Sequence, residues 1–217
     1  MKNIHTILLS LCCLATLNVL ADDKSPVGIT PEMPFIEIQH EGQTVTVKRI
    51  QDTSNKLIDD FAKTSRACPP FCIHPIMIAP DVETVGEIEL LEFLNTKLKD
   101  GKGLLVDARM PEFFKSETIP GSTNIPFVLF TGENSQKVLS LLGAKEVDGK
   151  QDYTEAKELT LFCNGPWDDQ SPRAIKALIK LGYPTSKLKY YRGGMQLWKI
   201  FGLTTILPEL NTVEKPK

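Results

Sequence analysis

The stretch of sequence that decides the fold is residues 159–182, LTLFCNGPWDDQSPRAIKALIKLG. Its first four residues are mostly apolar, and they predict a short strand buried on both faces. Ser171 and Pro172 predict the N-cap and the first residue of a helix, because serine caps helices well and proline fits their first turn. Gly182 predicts the end of that helix. The stretch is therefore predicted to form a strand, a loop that begins with Cys163, and a helix.

The same alternation of strands and helices continues on both sides of this stretch, from about residue 82 onward. The predicted elements are a helix with Leu90, Leu91, Leu94 and Leu98 on one face, a strand at 104–106, a short strand at 122–125, a helix at 138–142, a last strand at 189–191 and a last helix at 195–201. Residues 144–157 are polar and are predicted as a loop. Strands that alternate with helices imply an α/β fold, in which helices cover both faces of a parallel sheet.

The first residues of the chain predict export. Lys2 precedes an apolar run, residues 7–20, which is too short to span a membrane comfortably. Val19 and Ala21 are small residues at the spacing of a cleavage site, so residues 1–21 are interpreted as a signal peptide. An uncleaved N-terminal anchor is the alternative. We expect a periplasmic or secreted protein with no membrane span after cleavage.

Three further regions follow the predicted signal peptide. Residues 22–81 are interpreted as an N-terminal extension, in which period-2 alternation predicts a β-hairpin with strands at 35–39 and 44–50. The extension is too small to hold a core of its own, so we expect it to pack on the main domain. Residues 82–208 form the predicted α/β domain, and residues 209–217 are a polar tail.

The composition argues against one class of partner. The chain is 41% hydrophobic and 24% charged, with a formal net charge of −2, as in an ordinary globular protein. A protein that binds nucleic acid would need a basic face to neutralise phosphates, and nothing in this balance indicates one. We therefore expect no nucleic acid partner.

Loss of the signal peptide would leave three cysteines, Cys68, Cys72 and Cys163. An odd number in an oxidising compartment means that at least one thiol stays unpaired or takes part in chemistry. For Cys68 and Cys72 a local disulfide is the favoured interpretation. Two alternatives stay open: one of these thiols forms a redox pair with Cys163, or both bind a metal together with His74.

Cys163 is the candidate catalytic residue. It follows a buried parallel strand and precedes a helix, which is where open α/β folds bind ligands. The partial positive charge and free N–H groups of a helix N-terminus favour a thiolate over a thiol, and they would also stabilise a persulfide anion. The alternative is a small hydrophobic residue buried at the end of a strand. The residues expected to arch around the sulfur as an anion cradle are Asn164, Gly165, Pro166, Trp167, Asp168, Asp169, Gln170 and Ser171.

Three ordered motifs resemble the rhodanese family. Residues 105–109, LVDAR, and residues 119–126, IPGSTNIP, resemble its amino-terminal signature. Residues 191–198, YRGGMQLW, resemble its carboxyl-terminal signature. Between these motifs Cys163 stands at the catalytic position of the family, and the resemblance covers roughly residues 82–207.

The resemblance implies a fold and an activity. The fold is a five-stranded parallel sheet with helices on both faces. The activity is sulfur transfer, in which the Cys163 thiolate attacks the outer sulfur of a small donor such as thiosulfate, or of a persulfide-carrying protein, and passes it to a thiol acceptor. Amides of the loop would act as an anion cradle, and no cofactor is required.

The loop departs from the family pattern in length and in charge. The interval between Cys163 and Ser171 is longer than the active loop typical of single-domain members, so Trp167 is expected to line a wider rim. Asp168 and Asp169 stand where members commonly carry a basic residue. Exposed carboxylates at the mouth would repel thiosulfate, which favours a neutral or protein-borne donor.

Other charged residues have weaker interpretations. Arg173 is a candidate substrate contact if it points into the loop, but helix geometry could equally direct it to solvent. Phosphatases and arsenate reductases of this fold need the pattern Cys-x5-Arg, and here Asp169 takes the place of that arginine, so we do not expect phosphatase activity. Asp107 and Arg109 are interpreted as a structural ion pair at the strand ends.

Two other functions stay open beside sulfur transfer. One is a periplasmic thiol–disulfide redox protein that uses Cys163 with Cys68 or Cys72. The other is a non-catalytic binding module of the same fold, whose Cys163 would react no faster than an ordinary thiol.

Overall fold

Short apolar runs form the strands of this protein, and amphipathic segments form its helices. The computed structural model describes residues 25–208. The strands of this part of the chain are β1 (Phe35–His40), β2 (Gln43–Lys48), β3 (Glu83–Val85), β4 (Gly103–Asp107), β5 (Ser122–Asn124), β6 (Lys145–Val147), β7 (Lys150–Asp152), β8 (Glu158–Phe162) and β9 (Leu188–Tyr191). Its α-helices are α1 (Glu87–Phe93), α2 (Pro111–Ser116), α3 (Ser135–Leu141), α4 (Gln170–Lys180) and α5 (Gly194–Ile200). A π-helical turn, Leu94–Leu98, continues α1, and 3₁₀ turns lie at Asp59–Ala62, Phe127–Phe130, Gly132–Asn134 and Thr185–Lys187.

A five-stranded parallel sheet forms the centre of the described chain, in the order β3-β9-β8-β4-β5. All of its strand pairs are parallel, and β8 lies between β9 and β4. In the β4–β8 register Asp107 lies opposite Phe162, so the carboxyl ends of both strands meet at one edge. The prediction of an α/β fold with a five-stranded parallel sheet is confirmed, and Cys163 leaves the sheet at this edge.

Side chains that alternate along the strands fill two cores, one on each face of the sheet. Val106 and Leu161 belong to the core that α3 and α4 cover. Leu105 and Phe162 belong to the core that α1 and α5 cover. All of these side chains are fully buried. Such strands, apolar on both faces, are typical of a parallel sheet between two layers of helices.

The predicted N-terminal hairpin is present, and β1 pairs with β2 in antiparallel register. Its turn residues Glu41 and Gly42 both have positive φ, as two-residue hairpin turns require. Ile36, Ile38 and Val47 are buried in the core that α1 and α5 cover. The extension therefore shares a core with the α/β unit.

The prediction of a loop over residues 144–157 is wrong, because β6 and β7 form a second hairpin there. Asp148 and Gly149 both have positive φ, so a two-residue turn closes this hairpin although its strands carry mainly polar side chains. β3 and α2 have no counterpart among the predicted elements. Both are short, and α2 buries none of its residues, so neither leaves a clear apolar period in the sequence.

No helix within residues 25–208 is both long and apolar enough to span a bilayer. The predicted signal peptide, residues 1–21, and the polar tail, residues 209–217, lie outside the described residues. Export and cleavage therefore stay predictions.

Candidate active site

Cys163 is the first residue after β8, and it is 1% exposed. Backbone hydrogen bonds hold the main chain at this point. The N–H of Met195 donates to the carbonyl of Cys163 at 3.0 Å, and the N–H of Gln196 donates to the carbonyl of Asn164 at 2.9 Å. The first turn of α5 therefore anchors the loop that follows β8.

Gly194 allows α5 to approach the loop this closely. Its φ is +55°, and a Cβ at this position would lie 2.4 Å from the carbonyl oxygen of Cys163 and 2.8 Å from the backbone nitrogen of Gly165. No side chain fits at such distances, so only glycine is compatible with this packing. The glycine pair of the YRGGMQLW motif thus has a structural role next to the cysteine.

Several groups of the loop contact the sulfur of Cys163. The hydroxyl of Ser171 donates to Sγ at 3.0 Å. The main-chain N–H groups of Gly165 and Ser171 also lower the pKa of the thiol. The thiol in turn donates to the carbonyl oxygen of Asp168 at 3.3 Å. Gly165 and Ser171 therefore supply the part of the predicted cradle that reaches the sulfur.

The start of α4 differs from the prediction. α4 begins at Gln170, and its N-cap is Asp169 rather than Ser171. Ser171 is a fully buried residue of the first helical turn, and its hydroxyl binds Cys163 instead of capping the helix. The loop between β8 and α4 is correspondingly shorter than the sequence indicates.

The carboxylate of Asp168 fills the interior of the loop. It accepts hydrogen bonds from the N–H and the side-chain amide of Asn164, at 3.0 and 2.8 Å. It also accepts them from the N–H and the side-chain amide of Gln170, at 3.1 and 2.9 Å. Asp168 is only 7% exposed, so the prediction of an exposed charge at the mouth is wrong for this residue, whereas Asp169 is exposed. The chain's own carboxylate thus binds loop amides that are predicted to hold a substrate anion.

Burial and the neighbouring carboxylate together keep Cys163 neutral. Burial raises the pKa of the Cys163 thiol, and the charge of Asp168 raises it further. Hydrogen bonds from Ser171 and Gly165 lower the pKa, but by less than burial and Asp168 raise it. The prediction that the loop lowers the pKa of Cys163 is therefore wrong for this structure, in which the sulfur is shielded from solvent beside an anion.

A buried ion pair supports the loop from the end of β4. The guanidinium of Arg109 donates to the carboxylate of Asp107 at 2.6 Å, and both side chains are buried. Arg109 also donates to the side-chain oxygen of Asn164 at 3.2 Å. Because the side-chain nitrogen of Asn164 binds Asp168, the ion pair fixes the position of that carboxylate through Asn164.

Trp167 is the residue of the active loop that contacts the N-terminal extension. Its indole N–H donates to the side-chain oxygen of Gln196 at 3.1 Å. The guanidinium of Arg66 stacks on the indole, 3.5 Å from the ring centroid, and Phe71 contacts it edge-on with ring centroids 6.0 Å apart. Only 9% of Trp167 is exposed. Trp167 is predicted to line a wide rim at the mouth of the active loop, but in this structure Arg66 and Phe71 cover its indole.

The remaining loop residues have simpler roles. The N–H of Asp168 donates to the carbonyl of Gly165 at 3.0 Å, so residues 165–168 form a tight turn that contains Pro166. Arg173 is exposed, and its guanidinium stacks on Phe127 at 4.4 Å from the ring centroid. The structure does not bring Arg173 into the group of residues around the sulfur.

Cys68 and Cys72 form a disulfide. Sulfurs bonded to each other cannot bind a metal as thiolates, so the alternative of a metal site with His74 is wrong for this state. Cys163 is the free cysteine of residues 25–208. A bond between Cys163 and either of the other two is therefore absent from the described part of the chain.

Reasoning from the sequence does not identify Arg66 and Gln196 as parts of the site. The side chain of Gln196 donates to the carbonyl of Phe61 at 2.7 Å, across a separation of 135 residues. Arg66 contacts Trp167, which is also more than a third of the chain away in sequence. A single sequence carries no signal that would pair positions so far apart.

The Asp168→Asn variant should show a lower apparent pKa of Cys163 than the wild type. Loss of the negative charge beside the sulfur favours the thiolate, and a nearby charge typically shifts a pKa by about 1 to 3. The measurement is the rate of Cys163 alkylation by iodoacetamide as a function of pH, read from the mass of the intact protein.

Asp169→Asn is the matched control for this experiment, because it removes the same charge from the exposed neighbouring position. We expect the pH profile of Asp169→Asn to match that of the wild type. Identical profiles for the two variants would show that Asp168 is not the charge that keeps Cys163 neutral.

The Gly194→Ala variant should lose at least about 2 kcal/mol of folding free energy, because its Cβ requires a positive φ and also meets the carbonyl of Cys163. Gly42→Ala is the control, since Gly42 has a φ of +81° but no heavy atom within 4 Å of its Cβ. The control should lose about 1 kcal/mol from backbone strain alone. Denaturant unfolding measures both values, and equal losses would contradict the close packing of α5 on the loop.

Comparison with known proteins agrees with the fold. A family model described as the rhodanese-like domain matches residues 90–200. No curated protein matches the chain. Among solved structures, rhodanese from E. coli is 20% identical with a TM-score of 0.34, over 49% of this chain and 99% of that chain.

Two further structures are similar at the same level. The human single-domain sulfurtransferase TSTD1 is 24% identical with a TM-score of 0.38, over 55% of this chain and 96% of that chain. The As-Sb reductase from Leishmania major is 24% identical with a TM-score of 0.41, over 55% of this chain and 79% of that chain. Because the family model covers more than half of the chain and includes Cys163, the chain belongs to the rhodanese-like domain family.

Proposed function

We propose that the protein is a rhodanese-type sulfurtransferase, which carries sulfane sulfur as a persulfide on Cys163 and passes it to a thiol acceptor. Membership of the rhodanese-like family supports this class of reaction. The observation that carries the proposal is the hydroxyl of Ser171, which donates to the Cys163 sulfur at 3.0 Å, together with the N–H groups of Gly165 and Ser171, which lower the pKa of the thiol. Donors in this arrangement stabilise an anionic sulfur once it forms.

The proposed reaction has two steps. In the first, the Cys163 thiolate attacks the outer sulfur of a persulfide R–S–SH. The S–S bond of the donor breaks, R–S⁻ leaves and takes up the proton that Cys163 released, and Cys163 carries the persulfide. In the second, an acceptor thiolate attacks the terminal sulfur, the S–S bond on Cys163 breaks, and the acceptor leaves as a persulfide. The sulfane sulfur changes partner without net oxidation or reduction, so no cofactor is required.

The negative charge of Asp168 inside the loop affects which sulfur donor can approach Cys163. Thiosulfate is a dianion, and it would approach a loop whose amides already bind the carboxylate of Asp168. Two like charges 4 Å apart repel by about 1 kcal/mol in water and by about 4 kcal/mol near a protein surface. A neutral persulfide, or a persulfide carried on a partner protein, reduces this repulsion. We therefore favour a donor of that kind.

The proposal includes a location in the periplasm or outside the cell. The disulfide between Cys68 and Cys72 supports an oxidising compartment. The apolar run at residues 7–20 supports export of the chain.

A non-catalytic binding module is the second candidate function. Three observations favour it: the thiol of Cys163 is buried, its pKa is raised, and Arg66 stacks on Trp167 at the edge of the active loop. If this candidate is correct, Cys163 stays unmodified by every sulfur donor, with the disulfide present or absent.

The purified protein should gain the mass of one sulfur atom after incubation with cysteamine persulfide, a donor whose ammonium group balances the charge of an ionised persulfide. Cys163→Ser is the control and should gain none, because Cys68 and Cys72 are bonded to each other. Thiosulfate should load Cys163 at least about tenfold more slowly than the persulfide, the ratio that about 1.4 kcal/mol of repulsion gives. Failure of both donors to load Cys163, in the wild type and in Cys68→Ser/Cys72→Ser, would reject sulfur transfer and favour the binding module.

A further inference from the structure

A segment of the N-terminal extension, residues 61–74, lies over the active loop, and we name it the cover segment. Within it Arg66 stacks on the indole of Trp167, 3.5 Å from the ring centroid, and Phe71 contacts the same indole edge-on. The side chain of Arg66 is only 7% exposed, although most of its neighbours along the chain are exposed. Arg66 is therefore buried against a residue of the active loop, whereas Phe71, which is 47% exposed, covers the edge of the same indole.

Two residues of the YRGGMQLW motif hold the ends of the cover segment. Gln196 donates to the carbonyl of Phe61 at 2.7 Å, and Arg192 donates to the carbonyl of His74 at 2.9 Å. Gln196 also accepts the indole N–H of Trp167 at 3.1 Å. The same glutamine side chain thus binds the cover segment and the active loop.

The disulfide constrains the shape of the cover segment. The Cys68–Cys72 bond closes a small ring of residues that contains Phe71, and Arg66 lies just before this ring. After the 3₁₀ turn Asp59–Ala62, the described chain has no helix or strand until β3, so no regular hydrogen bonding fixes this stretch. A crosslink restricts the conformations of such an irregular segment. Without the bond, Phe71 would lose the constraint that places it on Trp167, and Arg66, which also donates to the carbonyl of Asp60, would lose the fixed ring that follows it.

We propose that the cover segment is a redox-controlled lid, which the Cys68–Cys72 disulfide keeps closed over Cys163 and which a dithiol partner opens by reducing that bond. This inference deepens the proposed sulfurtransferase function and rests on it. Cys68 is exposed, so a dithiol can reach the bond, whereas Cys163 is 1% exposed and is shielded while the lid is closed.

The reduction is a two-electron exchange between two dithiol–disulfide pairs. A thiolate of the partner attacks the sulfur of Cys68, the Cys68–Cys72 bond breaks, and Cys72 leaves as a thiolate that takes up a proton. The second thiol of the partner then attacks the mixed disulfide. The partner leaves with an internal disulfide, oxidised by two electrons, and both Cys68 and Cys72 are thiols.

Opening the lid changes Cys163 in two ways. It uncovers Trp167 and gives a sulfur donor access to the active loop. It also returns solvent to a thiol whose pKa is raised by burial, so the thiolate fraction increases. One reduction event therefore controls both access and reactivity.

The test measures how fast iodoacetamide alkylates Cys163, read from the mass of the intact protein, with and without the disulfide. Cys68→Ser/Cys72→Ser removes the bond without a reductant that would consume the alkylating agent. We expect its Cys163 to react at least about tenfold faster than that of the wild type, because opening shifts the population toward the accessible state. We also expect Trp167 to become accessible to quenching by acrylamide, while Trp198, which is fully buried, stays protected.

A second variant separates the packing of the lid from the disulfide. Arg66→Ala/Phe71→Ala keeps the bond but removes the contacts with Trp167, and its Cys163 should also react faster than that of the wild type. Met77→Ala is the matched control, since Met77 is 73% exposed and lies in the extension outside the cover segment. Its alkylation rate should equal that of the wild type.

The remaining outcomes reject the proposal. Wild-type rates in both variants would show that the cover segment does not shield Cys163. A faster rate in Arg66→Ala/Phe71→Ala alone would show that the disulfide does not control the lid. If the double serine variant fails to fold, reduced wild-type protein replaces it. An immobilised phosphine reduces the disulfide, the resin is removed, and peptide mapping then follows the alkylation of Cys163.

The alkylation test is independent of sulfur transfer, because it needs no sulfur donor. Fast alkylation after opening, combined with no persulfide on Cys163, would keep the lid and reject the sulfurtransferase. Persulfide loading at the same rate with and without the disulfide would keep the sulfurtransferase and reject the lid.

Discussion

The buried carboxylate of Asp168 is the interaction on which the rest of the site depends. Asn164 and Gln170 each give it a main-chain and a side-chain donor. A buried charge needs such partners, because an unpaired carboxylate away from water is costly. The loop that satisfies this carboxylate also directs the carbonyl of Asp168 at the thiol of Cys163. The interaction that stabilises the loop thus also keeps the neighbouring sulfur neutral.

The sheet and its helices supply the frame for this loop. β4 and β8 end at the same edge, so the Asp107–Arg109 pair lies close enough to reach Asn164. Gly194 lets the first turn of α5 bond the main chain of the loop from another direction. The N-terminal extension adds a third support, because Arg66 covers Trp167. Groups from β4, from α5 and from the N-terminal extension therefore support the loop that contains Cys163.

The sheet could be predicted from the sequence because its principal strands are runs of apolar residues, and the position of Cys163 followed from the strand before it. The inward orientation of the Asp168 side chain could not be predicted. A charged residue in a polar loop is exposed by default, and its burial depends on hydrogen-bond partners that only the fold brings together. Ser171 satisfies the local preference for an N-cap, but its hydroxyl bonds Cys163, eight residues earlier. The contact of Arg66 with Trp167 is a tertiary one, and no local pattern encodes it.

Burial and the carboxylate of Asp168 raise the pKa of Cys163, although its family position and the helix behind it favour an anionic sulfur. The most direct measurement is the ultraviolet absorbance of the thiolate as a function of pH, in the oxidised wild type against Cys163→Ser. We expect no thiolate difference signal near pH 8.5, where an ordinary cysteine is about half ionised. A clear thiolate signal from Cys163 at or below neutral pH would contradict a closed loop that holds the sulfur neutral.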